Sequence, residues 1–142
     1  MLAVVATGAL GADPKGNNGT IKIDDVPFDS HPNNEPHVGC VFQVDFYGFD
    51  KGPYNAKVTF QLQPPSGRRV LRTDTVFIGE DAAGGGTDLD AERTYDLNLD
   101  VMRSEFHPKQ GWHIEVIVEA PGAGGKIARK SKVFWAHDCI DP

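Results

Sequence analysis

CVFQVDFYGF, residues 40–49, sets Cys40, Phe42, Val44 and Phe46 on one parity and Gln43 and Asp45 on the other. Successive side chains of a strand point to opposite faces, so this stretch reads as a β-strand with one face toward a core. The pattern recurs further along the chain. AKVTFQLQ (56–63) sets Val58, Phe60 and Leu62 against Lys57, Thr59, Gln61 and Gln63. WHIEVIVE (112–119) sets Trp112, Ile114, Val116 and Val118 against His113, Glu115, Ile117 and Glu119. TYDLNLDV (94–101) sets Tyr95, Leu97, Leu99 and Val101 against Thr94, Asp96, Asn98 and Asp100.

Three further segments complete the set. TIKIDDVPF (20–28) supplies a short first strand through Ile21 and Ile23, and KVFWAHDC (132–139) puts Val133, Trp135 and Cys139 on one parity. RVLRTDTVFIG (69–79) is less regular, because Val70, Val76 and Ile78 share parity with Arg72 and Asp74. The connectors DKGPY, PPSGR, GEDAAGGGTDLDAE and APGAGGK carry turn residues, and MRSEFHP (102–108) holds a short helical turn. About seven short strands in one chain of 142 residues point to an antiparallel, immunoglobulin-like β-sandwich.

The balance of charge excludes some functions. A net charge of −6 argues against general affinity for nucleic acid or anionic membranes. The apolar run from Leu2 to Ala12 is too short to span a bilayer. It resembles the apolar and small-residue part of a signal peptide, or else a strand built on Leu2, Val4 and Val5. Residues 1–12 are therefore set apart from a single sandwich domain over 13–142. Two cysteines, Cys40 and Cys139, permit one disulfide or two buried thiols. Export favours the disulfide, since oxidising compartments preserve such bonds.

Candidate chemistry concentrates in SHPNNEPHVGC, residues 30–40. His31, Glu35 and His37 are the residue types that bind Zn²⁺ or Cu²⁺, with His107, His113 or His137 as distant partners. Pro32, Pro36, Asn33 and Asn34 offer a second explanation, a stiff loop leading into the Cys40 strand. Asp88, Asp90 and Glu92 give alternating carboxylates for a calcium loop, or a solvated acidic hairpin. Arg68, Arg69 and Arg72 join Lys126, Arg129, Lys130 and Lys132 in one positive patch if their strands are neighbours, or guard a sheet edge. The blue-copper arrangement, G-x-S-x-G, H-E-x-x-H and S-x-x-K are absent, and Gly84–Gly86 lead into no phosphate loop.

GTIKIDDVPFDSHPNNEPHVGCVFQVDFYGFD, VFIGED, HPKQGWHIEV and KSKVFWAHDC together resemble a family of small actinobacterial exported proteins. The resemblance spans nearly all of residues 19–139, with HPNNEPHVGC its most recognisable part. It implies a signal peptide, an extracellular location, one such domain and a matching cysteine pair, and it assigns no catalytic residues. The expectation is a non-enzymatic secreted or cell-surface module for assembly or binding, its partner another protein or copies of itself, as in a filament. A secreted metal-binding protein using His31 and His37 is the second reading, and a hydrolase the third.

Overall fold

The alternating segments form two sheets that face each other across a shared apolar layer. The computed structural model describes residues 19–28, 34–79 and 89–139. Its strands are β1 (Thr20–Asp25), β2 (His37–Gly39), β3 (Val41–Tyr47), β4 (Asn55–Leu62), β5 (Val70–Phe77), β6 (Leu89–Asp96), β7 (Trp112–Pro121) and β8 (Ile127–His137). One sheet runs β1-β3-β6 and the other β2-β8-β7-β4-β5. All pairings are antiparallel except β2 with β8. The orders β1-β3-β6 and β8-β7-β4-β5 correspond to the A-B-E and G-F-C-C′ sheets of immunoglobulin domains. Cys40 and Cys139 are joined by a disulfide.

The core is the set of inward positions that the alternation marks. Phe42, Val44 and Phe46 of β3 meet Val58, Phe60 and Leu62 of β4 and Ile114, Val116 and Val118 of β7, all fully or almost fully buried. Its centre is aromatic. Phe42 lies 5.0 Å from Phe134 and 5.7 Å from Phe60, and Phe60 lies 4.7 Å from Tyr95 in edge-to-face contact. Each such buried ring contributes about 1.5–3 kcal/mol through the area it removes from water.

Three local readings change. The alternation of TYDLNLDV continues past its strand: β6 ends at Asp96, and Leu99 is 85% exposed in a turn. The Asp96 carboxylate accepts the Asn98 N–H at 2.9 Å, an Asx turn that stops the strand. β6 instead begins at Leu89, so Asp90 and Glu92 belong to a strand rather than a loop. In β8 the inward residues are Phe134 and Ala136, while Val133 is exposed and Trp135 stands on the outer face. Both parities of β8 carry apolar side chains, so its sequence pattern alone does not choose a face.

Arg72 and Asp74 of β5 share the inward parity of Val76, because β5 overhangs the narrower sheet. There they meet the β6 edge instead of the core. Asp74 accepts hydrogen bonds from Arg93 and from the Tyr95 hydroxyl, each at 2.9 Å, and Arg72 pairs with Asp100. Burial, followed by the bond to Asp74, pushes the Tyr95 phenol well above its ordinary range. Tyr95→Phe removes one charge-assisted bond and costs about 1–2 kcal/mol, read from urea unfolding midpoints. The register of β4 with β5 steps over Leu71, which turns inward at this bulge.

β5 and β8 are separated by β7 and β4, so the two basic groups do not form one patch. Arg129, Lys130 and Lys132 stand where β8 has only β7 as a neighbour among the described strands. Charge on such an edge discourages pairing with another sheet.

Candidate functional site

The histidines converge on one end of the five-stranded sheet. Register aligns His37 of β2, Trp135 of β8 and His113 of β7 in one row. Each points outward, because its neighbours Val38, Ala136 and Trp112 point into the core. His113 stacks on Trp135 with ring centroids 4.1 Å apart and planes within 13°. His107, in the bend that closes on Gly111, meets the same indole edge-on at 5.8 Å. Gly111 has a φ of 96°, and a Cβ there would collide with the Ala136 carbonyl, so only glycine brings this bend against β8. His137 lies one pleat from Trp135, with Nε2 at 3.5 Å from His37 Nδ1.

Hydrogen bonds assign the tautomers of two of these rings. His113 Nδ1 lies 2.8 Å from the Pro64 carbonyl, which only accepts, so Nδ1 carries a proton. His107 Nδ1 accepts the Lys109 and Gln110 N–H groups at 3.2 Å each and so carries none. The result is a flat indole–imidazole surface on a rigid sheet, apolar on its ring faces and polar at its rims. Such a surface suits docking of a planar or weakly polar partner group.

Residues 34–39 do more than lead into β3. Ile23 and Asp25 direct their N–H groups outward from the free edge of β1. The Asn34 side-chain carbonyl accepts the first at 3.0 Å, and the Glu35 carboxylate accepts the second at 3.2 Å. Glu35 N–H in turn donates to the Ile23 carbonyl at 2.9 Å, and Asp25 accepts Gly39 N–H at 2.9 Å. These residues stand in for a neighbouring strand along β1. Glu35 is thereby engaged with backbone, His37 belongs to β2, and His31 lies outside the described residues.

Of the carboxylates considered for calcium, Asp88 lies outside the described residues. Asp90 is buried and accepts the Phe49 N–H at 2.6 Å, holding the bend after β3. Glu92 stands opposite Asp45 across the β3–β6 ladder, and Lys22 opposite it across β1–β3. Asp45 is fully buried, and neither carboxylate oxygen has a hydrogen-bond partner among the described residues. Burial above all, with the charges of Glu92 and Asp24, raises its pKa from 3.8 to about 7, and Lys22 only partly offsets them. Among the described residues, no three of His, Cys, Asp or Glu are grouped to hold a metal ion.

The disulfide end carries two shallow clefts. One, of about 280 Å³, is lined by Arg103, Phe106, Trp112, Asp138 and Cys139. The other, of about 350 Å³, runs past Asp25, Gly39, Cys40 and Asn98 on the opposite side of Asp138. The convergence of His37, His107, His113 and His137 was hidden in the sequence. Its signal is parity: once Phe134 and Ala136 are placed inward, Trp135, His137 and His113 must share the outer face. No helix among the described residues is long and apolar enough to cross a membrane. Comparison with protein-family models, curated proteins and solved structures returns no match.

Proposed function

We propose that the chain is a non-enzymatic, exported β-sandwich that acts by binding or assembly outside the cell or at its surface. The observation that carries this reading is the Cys40–Cys139 bond, which links residues 99 apart in sequence. A bond of this kind is kept in oxidising compartments and reduced in the cytosol. The outward indole–imidazole surface supports binding as the mode of action, since its rings lie on an open sheet face. The resemblance to exported actinobacterial proteins points the same way.

Two measurements test the reading. Protein recovered from an oxidising export compartment is expected to show no reactive thiol after denaturation, and two reactive thiols in folded, exported protein would overturn it. Assembly is read by size-exclusion chromatography with light scattering, on the full chain and on a chain lacking residues 1–12. Larger species formed by the full chain alone support assembly through that segment. A monodisperse monomer in both forms removes strand donation and leaves a module that binds other molecules.

A further inference from the structure

The His37–His137 pair brings two imidazole nitrogens to the spacing of neighbouring ligands on one metal ion. Its nitrogen atoms are 3.5 Å apart, longer than the roughly 2.7–3.2 Å of a well-formed N–H hydrogen bond. The ring centroids are 5.7 Å apart with planes 27° from parallel. That centroid distance is nearly the nitrogen separation plus both ring radii, so the two nitrogens face each other, and each ring turns by about 30° to aim its lone pair at a shared ion. Bonds of about 2.0–2.1 Å drawn from atoms 3.5 Å apart meet at about 113–122°, close to tetrahedral. A square-planar Cu²⁺ would need its neighbouring ligands about 2.8 Å apart.

We propose that His37 Nδ1 and His137 Nε2 bind one Zn²⁺ ion, with water completing the coordination shell. The proposal is independent of the functional reading above. Both ligands sit on backbone already held in place, His37 by the parallel β2–β8 ladder and His137 by its place next to Asp138 and the Cys139 bond. The rings therefore lose little freedom when a metal arrives. Two protein ligands leave the other positions of a tetrahedral ion to water, one more than the single open position of a three-ligand site. Glu35, engaged with Asp25, takes no part.

The test is calorimetric titration of ZnCl₂ into full-length, chelator-stripped and dialysed protein with its disulfide intact. One ion per chain is expected at about pH 7.5, with binding weaker at about pH 5.5 because metal-bound imidazoles must be unprotonated. His37→Ala and His137→Ala are each expected to weaken binding by at least about tenfold, while Glu35→Ala and His113→Ala stay within about twofold. Absence of binding by the wild type overturns the proposal, as does wild-type affinity in folded His37→Ala and His137→Ala. Should a substitution prevent folding, imidazole ¹⁵N–¹H spectra of the wild type decide. Zinc must then shift the nitrogens of His37 and His137, and shifts confined to other histidines refute the site.

Discussion

Reduction of the Cys40–Cys139 bond lowers the stability of the sandwich by about 4–5 kcal/mol, the chain-entropy value for a closed loop near 100 residues. The bond links residues 99 apart, so the unfolded chain without it gains nearly the largest freedom a cross-link in a domain of this size can restrain. The folded state also loses local support. β2 is three residues long and is tied to β8 over Trp135–His137 only, beside the disulfide. Loss of the bond therefore frays β2 and the histidine row before the rest of the sheet opens. Urea unfolding of the same protein with and without reductant measures the difference, and Cys40→Ala/Cys139→Ala is expected to match the reduced wild type. A loss below about 1 kcal/mol would show that the cross-link adds little to a core that already specifies the fold. At equal denaturant, amide exchange is expected to quicken first at residues 37–39 and 135–137 through local fraying, while the core amides that open only globally quicken by the loss of total stability.

Stability falls as the pH rises from about 4 to about 7, and Asp45 is the cause. Its folded-state pKa is about 7 against 3.8 for the free side chain. Between those values the folded protein holds a proton that the unfolded chain has released, so the slope of unfolding free energy with pH is negative. The contribution to stability is complete below about pH 4 and gone above about pH 7. A difference of about three units corresponds to about 4 kcal/mol across the window. The groups facing Asp45 are Lys22 and Asp24 from β1 and Glu92 from β6, and the two acids outweigh the lysine. Asp45→Asn keeps the shape and removes the ionisation. It is expected to unfold at nearly the same urea concentration at pH 5 and pH 8 and to exceed the wild type at pH 8. Equal pH dependence in wild type and variant would place the proton elsewhere.

Both effects begin from positions that the sequence marks, yet differ in how legible they are. Two cysteines permit either a disulfide or two thiols, the export reading favours the bond, and the structure shows it. Asp45 reads in CVFQVDFYGF as an ordinary outward residue, polar and solvated. Only the structure shows it buried and, among the described residues, without a hydrogen-bond partner, between acids from two other strands. Glu35 shows the same gap. Its carboxylate has the chemistry of a metal ligand, but a β1 edge brought beside it takes that oxygen first.

What the sequence determined by itself is the class of the fold and the identity of most of the core. Period-two alternation is local, and burying one face of each strand is enough to require two packed sheets. Phe42, Phe60, Ile114 and Val116 are inward for that reason alone. Tertiary structure decided what depends on neighbours far along the chain. It set β2 parallel to β8 and turned Trp135 outward while Phe134 filled the core. It brought His37 within 3.5 Å of His137 across 100 residues. A strand with apolar residues on both parities has two acceptable faces, and only the sheet opposite it, by the space it leaves, selects one.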